Sequence, residues 1–370
     1  MLFKQILMYI LFAFFAIGLL DRAFGFRFGI GKELVKGMDL LGLFTLSIVG
    51  MICLSPVLAN LLIPVVAPVY TAIGADPAMF APNFISVDSG GYSLAVAMAQ
   101  DPAVGRWAGT CVGSLLGAVI SFNIPVMFSL IGKENYRTFS VGALSALIAA
   151  PVGCIVGGVF CGVPFGTIIH NLVPVLFVAI VIALSLLLIP DIAIKAFVLF
   201  SKFLTLIISI GFGLAVFERI TGIALVEGML PLQDGLLMSG TVAVTCTGAI
   251  CLVYVLLRIA GKPIRKLSKV LGLNEVALIN TLIGFSTISP GGAAYREMNR
   301  RGKIVFASVS CTAANILGGH MGFLAAQDPE MLPTLFICKI TAAVVALPLS
   351  LYFAGRLLPK TEEEPVAERT

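Results

Sequence analysis

The sequence predicts an all-α polytopic membrane protein, and three observations lead to that fold class. The chain has 370 residues, of which 59% are hydrophobic and only 12% are charged, and its mean hydropathy is +1.06. Several windows of about 20 residues carry almost no charge, which is the length that a helix needs to cross a bilayer. Two further apolar windows are interrupted by small and polar residues, as in membrane helices that are broken. This composition excludes an ordinary soluble domain.

Nine windows predict complete transmembrane helices. The first begins at residue 2, lacks a small-residue cleavage site and is followed by more apolar windows, so we interpret it as a helix rather than a signal peptide. The nine predicted spans are residues 2–20, 40–60, 106–130, 139–163, 168–190, 195–217, 236–258, 303–325 and 332–357.

Two apolar segments do not fit a simple span. Residues 78–100 contain DSGG, and residues 275–295 contain GFSTISPGG. Non-helical backbone at membrane depth is tolerated only where protein or a water-filled cavity satisfies its polar groups. Both segments are therefore predicted to be re-entrant or broken-helix hairpins.

An internal repeat indicates that the two hairpins are counterparts. Residues 50–58, GMICLSPVL, match residues 248–256, GAICLVYVL, at an offset of 198, and the same offset pairs Lys4 with Lys202. Inverted repeats whose broken helices meet near the bilayer midplane are typical of secondary transporters.

The distribution of basic residues predicts the topology. With nine spans and two re-entrant hairpins, the strongly basic loops all fall on the cytoplasmic side, as the positive-inside rule requires; these loops are residues 22–36, 133–137, 258–269 and 296–303. The N-terminus is then outside and the C-terminus inside. The predicted organisation is a first repeat at 1–163, a connecting span at 164–194, a second, inverted repeat at 195–358 and a disordered cytoplasmic tail at 359–370.

Asp88 is the main candidate for a binding residue. A carboxylate in a membrane costs several kcal/mol unless it is paired or solvated, which makes it a functional candidate. Gly90 and Gly91 permit an unwound backbone beside it, and hydrogen-bonding groups lie nearby at Asn83, Ser86, Ser89 and Tyr92. The set suits a small cation. The alternative is that Asp88 caps the half-helix that follows it.

The second hairpin and the eighth span supply further candidates. Ser286, Thr287 and Ser289 precede Pro290 and offer uncharged oxygens for a substrate hydroxyl, or they pack helix against helix. Asn315 and His320 lie five residues apart in the eighth span, which on one helix separates them by about 140°. His320 either hydrogen-bonds the substrate or is a satisfied core histidine.

Other polar and reactive residues have simpler interpretations. Lys202 and Lys339 lie some eight residues into their spans, and snorkelling to the membrane surface is the default for both. The eight cysteines all lie in apolar segments and are interpreted as reduced core residues. No hydrolase, metalloprotease or nucleotide-binding motif is present, so no catalytic residue, metal or cofactor is expected.

Four motifs resemble the ethanolamine-utilisation permease family, EutH: VDSGGYSLA (87–95), PVGCIVGG (151–158), NLVPVL (171–176) and LGGHMGFLAA (317–326). The resemblance covers most of the chain, from MYILFAFF to KITAAVVAL. It implies a multi-pass permease of the bacterial inner membrane that admits ethanolamine. In one departure, Gly319 stands where the resemblance implies an acidic residue before the histidine, so no His–carboxylate pair is expected there.

The resemblance supplies the substrate, whereas the residues alone indicate a small polar or cationic solute. Ethanolamine is mostly an alkylammonium at neutral pH, as a lysine head group with its pKa near ~10.4 is. The expected partners of the protein are ethanolamine and the lipid bilayer, and no nucleic acid is expected. Whether the protein forms a homo-oligomer is left open. The alternatives are a transporter of another small solute and a membrane-embedded sensor without flux.

Overall fold

The computed structural model describes residues 2–356, and the tail predicted at 359–370 lies outside them. The described chain is helical and has no β-strand. Its α-helices are α1 (Leu2–Ala23), α2 (Ile30–Ala72), α3 (Phe80–Phe84), α4 (Gly91–Met98), α5 (Pro102–Trp107), α6 (Ile124–Leu130), α7 (Tyr136–Phe160), α8 (Phe165–Leu188), α9 (Pro190–Thr221), α10 (Leu232–Ile259), α11 (Gly261–Leu271), α12 (Glu275–Ile283), α13 (Ser289–Ala293), α14 (Arg300–Ala313), α15 (Gly319–Gln327) and α16 (Leu332–Arg356).

Helices of other geometry complete the chain. Two π-helical stretches, Ala108–Gly117 and Val119–Asn123, join α5 to α6. Short 3₁₀ turns lie at Pro77–Met79, Val87–Ser89, Lys133–Asn135, Tyr295–Glu297 and Pro329–Met331.

The described residues contain eight helical units that are long and apolar enough to cross a membrane. These are Leu2–Ala23, Ile30–Ala72, Pro102–Leu130, Lys133–Phe160, Phe165–Leu188, Pro190–Thr221, Leu232–Ile259 and Pro329–Arg356. They correspond to eight of the nine predicted spans, and the fold class is confirmed.

The remaining predicted span, 303–325, is not one helix. It is divided into α14 and α15 by an irregular turn in which Asn315 has a left-handed φ of 58°. The expected 140° separation of Asn315 and His320 around one helix is therefore wrong.

The basic segment 258–269 also differs from the expectation that it is a loop. Most of it forms the amphipathic helix α11, which buries Ile264.

Both hairpins return to the place where they begin. In the first, the Asp76 carboxylate accepts the backbone N–H groups of Gln100 and Asp101, so its two ends are joined. In the second, the Asn274 N–H donates to Asn299 Oδ1, at 3.2 Å. The side chains that close the hairpins also cap the neighbouring helices, which fixes where each segment starts and stops.

The long helices pack through glycines that allow close approach of backbones. A Cβ added at Gly50 of α2 would lie 1.7 Å from the Ile208 carbonyl oxygen of α9, and one added at Gly248 of α10 would lie 2.4 Å from the Leu11 carbonyl oxygen of α1. Each glycine therefore fixes a contact that no larger residue makes without displacing the backbone.

A glycine ladder holds the first hairpin against the π-helical stretch. Gly109, Gly113 and Gly117 recur every four residues there, and added Cβ atoms would meet backbone atoms of Tyr92, Val87 and Ile85 at 2.9, 3.4 and 2.2 Å, listed in that order. The hairpin backbone thus lies directly on a neighbouring helix. This packing positions the break that carries Asp88.

Candidate functional site

Three helix breaks meet inside the molecule. They are residues 85–90 between α3 and α4, residues 284–288 between α12 and α13, and residues 314–318 between α14 and α15. The Leu317 N–H donates to the Phe285 carbonyl at 2.8 Å, which joins the second break to the third. The Ser86 hydroxyl lies 3.1 Å from His320 Nε2, which joins the first break to α15. Polar groups at the breaks are thus paired with groups of the protein, as membrane depth requires.

Asp88 lies where the first break approaches α15. The Ser86 hydroxyl donates to Asp88 Oδ1 at 2.6 Å, and the Ser89 hydroxyl donates to the same oxygen at 3.4 Å. His320 Nε2 is 3.9 Å from Oδ1. A carboxylate beside His320 is therefore present, but it comes from a distant segment and not from the residue before the histidine. The expectation that His320 has no carboxylate neighbour is corrected in that sense.

The second carboxylate oxygen of Asp88 faces Gly319. A Cβ added at Gly319 would lie 2.8 Å from Asp88 Oδ2 and 3.7 Å from the Phe44 ring. The Asp88 side chain is 20% exposed, whereas His320 is 1% exposed. The absence of a side chain at Gly319 thus lets the start of α15 approach Oδ2 of a partly exposed carboxylate closely.

Gly90 is required by its conformation and by its neighbour. Its φ is +111°, a left-handed value that side chains rarely adopt. An added Cβ would lie 2.0 Å from Met51 Cγ on α2. Gly90 also occupies the N-cap of α4, and no side chain caps that helix. Capping by Asp88, the alternative raised from the sequence, therefore does not explain the carboxylate.

Two helix N-termini lie close to the carboxylate. α4 starts three residues after Asp88, and α15 starts at Gly319, which contacts the carboxylate. The N-terminus of a helix carries a partial positive charge that favours an anionic side chain. These helix ends and the two serine hydroxyls offset part of the cost of placing Asp88 in the membrane.

The other predicted residues of the first hairpin lie in different surroundings. Asn83 is fully buried in α3 and forms no hydrogen bond with Asp88. Gly91 packs against the Ile85 carbonyl. Tyr92 does not join the Asp88 group, because its hydroxyl donates to Asp328 and its buried ring packs edge-on against Phe323.

The predicted residues of the second hairpin are only partly brought to the site. Ser286 is buried, and its carbonyl oxygen would lie 2.1 Å from a Cβ at Gly318. Thr287 is half-buried and Ser289 is exposed at the start of α13. Asn315 is 9% exposed and its carbonyl accepts the Gly318 N–H. Ser286 and Asn315 thus lie beside the third break.

Lys339 is buried, whereas the sequence analysis predicts that its side chain extends to the membrane surface. Its side chain is 1% exposed, and Nζ donates to the carbonyl oxygens of Ser114 and Thr312, each at 2.9 Å. The expected snorkelling is wrong for Lys339, whereas Lys202 is exposed on α9. The cysteines agree with expectation in that all eight are free.

A second polar cluster ties the end of α15 to the first turn of α4. Arg106 Nε and Nη2 donate to the two carboxylate oxygens of Asp328, at 2.6 and 2.8 Å, and the Tyr92 hydroxyl donates to Asp328 as well. Asp328 follows α15, and Tyr92 lies in α4. Since α15 also carries His320 and α4 follows Asp88, the cluster couples the two elements that form the Asp88 site.

The lowered pKa of Asp328 predicts how the contribution of this cluster to stability depends on pH. Burial raises the pKa of Asp328, but hydrogen bonds from Arg106 and Tyr92 and the Arg106 charge outweigh burial and hold the pKa below its ordinary value. A carboxyl with a lowered folded-state pKa stabilises the protein above its unfolded pKa, about 3.9, and loses that contribution as pH falls through the folded value. We expect the melting-temperature difference between wild type and Asp328→Asn to be constant from about pH 5 to 8 and to shrink below about pH 4.

Thermal unfolding of the purified protein in detergent measures this difference. Glu227→Gln, which changes an exposed acidic residue in another loop, is the matched control and is expected to melt like the wild type. A difference that grows steadily as pH falls from 8 to 5 would contradict the assignment of this cluster.

Comparison with known proteins identifies relatives along the whole chain. The family model described as "Ethanolamine utilisation protein, EutH" matches residues 3–353. The "Probable ethanolamine permease EutH" of Listeria monocytogenes serotype 1/2a (strain 10403S) is 36% identical over 359 residues, which cover 97% of this chain and 96% of the relative.

Two further relatives are similar over comparable lengths. The "Uncharacterized protein YxeR" of Bacillus subtilis (strain 168) is 36% identical over 91% of each chain. The "Probable ethanolamine permease EutH" of Escherichia coli (strain K12) is 33% identical, with 99% of this chain and 98% of the relative covered. No solved structure gives a significant match.

Proposed function

The chain belongs to the EutH family of ethanolamine utilisation proteins, and from that premise we propose that it is a membrane permease that admits protonated ethanolamine. The substrate binds where the three helix breaks meet, with its ammonium group on Asp88. Three relatives carry the name probable ethanolamine permease, which supports both the activity and the substrate.

The observation that carries this proposal is the partly exposed carboxylate of Asp88. Both serine hydroxyls donate to Oδ1, and Oδ2 lies against Gly319. An ammonium group at Oδ2 gains a charge-assisted hydrogen bond. The Phe44 ring also lies beside Gly319, and an aromatic ring attracts a cation that approaches its face.

The hydroxyl of the substrate needs a neutral partner. Ser286, Thr287 and Asn315 line or adjoin the neighbouring breaks, and we assign them to this role together with His320. The Nδ1 atom of His320 is buried without a hydrogen-bond partner among the described residues. A buried polar atom without a partner is costly, so a movement that gives it one is favourable.

We also propose that the two halves, 1–163 and 195–358, are inverted repeats. Contacts in the register of 198 residues support this. Gly37 packs against Thr247, and Gly235 packs against Val49; the two glycines lie 198 positions apart, and so do Val49 and Thr247. Asp76 and Asn274, which close the two hairpins, are related by the same offset.

The orientation follows from charge. We place the Arg106–Asp328 cluster at the outer surface and the basic loops in the cytoplasm, in accord with the positive-inside rule. Substrate entry from outside then requires α4 and α15 to separate at this cluster. Such broken elements gate alternating access in transporters with inverted repeats.

Uptake into proteoliposomes tests the function. At acidic external pH, where ethanolamine is almost wholly the ammonium form, we expect saturable uptake of radiolabelled ethanolamine that rises when the interior is made negative. One charge crossing 100 mV gains about 2.3 kcal/mol, which corresponds to roughly fiftyfold accumulation at equilibrium.

Liposomes without protein are the control for leakage of the neutral amine. Binding of ethanolamine without flux would contradict a permease and favour a sensor. Saturable flux of other small alkylammonium ions in preference to ethanolamine would retain the transport mechanism but overturn the substrate.

A further inference from the structure

Lys339 is a buried charge that the proposed substrate site does not use. It lies in α16, and its ammonium bridges a π-helical stretch and the end of an α-helix that precedes a break. Ser114 belongs to the π-helical stretch Ala108–Gly117, and Thr312 lies in the last turn of α14, directly before the break at 314–318. Carbonyls in the last turn of a helix lack an intrahelical partner, and that end of the helix dipole is negative.

The surroundings of the Lys339 ammonium resemble a site for a small cation. Backbone carbonyl oxygens at the C-terminal ends of interrupted membrane helices coordinate alkali ions in transporters. A lysine head group is a compact cation with three donors, and it suits the same oxygens.

We propose that Lys339 is a tethered cation. Its ammonium fills a small-cation site formed by the carbonyl oxygens of Ser114 and Thr312, and transport therefore proceeds without a dissociable alkali ion at that place. The statement about transport rests on the proposed function, whereas the statement about the site does not. If Lys339 is a tethered cation, a free cation can replace its ammonium group. If the lysine has only a structural role, no free cation can replace it, and this difference is measurable.

Removal of the tether provides the first test. Lys339→Ala deletes the atoms of an n-propylammonium ion and leaves the two carbonyl oxygens in place. We expect this variant to melt at a lower temperature than the wild type in detergent. Addition of n-propylammonium, methylammonium, Li⁺ or Na⁺ is expected to raise its melting temperature saturably, as a ligand that binds only the folded state does.

Matched variants separate the charge from the packing. Lys339→Met keeps most of the apolar stem without the charge and is expected to melt below the wild type. Lys202→Ala, which removes an exposed lysine on α9, is expected to melt like the wild type and to gain nothing from cations. Because alkylammonium ions also occupy the proposed substrate site, the titrations are repeated with Asp88→Asn present in the same chain.

The proposal has two ways to fail. If none of the four cations stabilises Lys339→Ala beyond its effect on the wild type, or if Lys339→Met is as stable as the wild type, the cation site is overturned. If ethanolamine uptake by the wild type falls when Na⁺ is replaced by N-methylglucamine, the independence from alkali ions is overturned. The melting experiments require no transport, so they remain decisive if the permease function fails.

Discussion

Asp88→Asn is expected to reduce uptake of protonated ethanolamine by on the order of a hundredfold or more, because an ammonium in the membrane would lose its anionic partner. The amide keeps the shape of the side chain and still accepts hydrogen bonds from Ser86 and Ser89, which contact Oδ1 in the wild type. The measurement is the initial rate of uptake at acidic external pH, normalised to the amount of protein in the vesicles.

Two variants make the result specific. Asp39→Asn alters an exposed carboxylate on α2 and is expected to transport like the wild type. Asp88→Glu keeps the charge but moves it by one methylene, and we expect intermediate uptake. Wild-type uptake by a well-folded Asp88→Asn protein, judged by size-exclusion chromatography, would refute the assignment of the ammonium site.

Gly50→Ala is expected to destabilise the protein more than most single substitutions. The new methyl group would lie 1.7 Å from the Ile208 carbonyl oxygen, so α2 and α9 have to separate along their contact. Overpacking of a tight interface typically costs about 1–3 kcal/mol, and a backbone contact offers no flexible side chain to yield. The expected result is a clearly lower melting temperature in detergent and a smaller yield of monodisperse protein.

Gly42→Ala is the matched control on the same helix. A Cβ at Gly42 meets nothing within 4 Å, and alanine favours a helix over glycine by roughly 1 kcal/mol. This variant is therefore expected to melt at or slightly above the wild-type temperature. Equal melting of the two variants would show that the α2–α9 contact at Gly50 is looser than the structure indicates.

The fold class and two of the three breaks were predictable from the sequence because composition reports them directly. Apolar windows of membrane-spanning length define the long helices, and Gly-Gly with serine or proline marks the hairpins. The third break, at 314–318, was missed because its residues are compatible with a helix. Its conformation depends on tertiary contacts, namely those of Leu317 and Gly318 with Phe285 and Ser286, which one sequence does not reveal.

Contacts between polar residues are predictable where position along the chain decides them. Ser86 and Ser89 surround Asp88 because they share one short turn. The contact of the Tyr92 hydroxyl with Asp328 was not predictable, because the two residues lie far apart in the chain. Snorkelling was the wrong expectation for Lys339, because its carbonyl partners come from two distant helices.

The glycine ladder of the π-helical stretch has a consequence for how the chain is made. The first hairpin leaves the ribosome before Gly109, Gly113 and Gly117, the residues on which its backbone rests. Its irregular turn is costly in lipid until that surface exists. The hairpin therefore reaches its final packing only after the following span has been synthesised, and a chain truncated near residue 105 lacks the surface on which the hairpin rests.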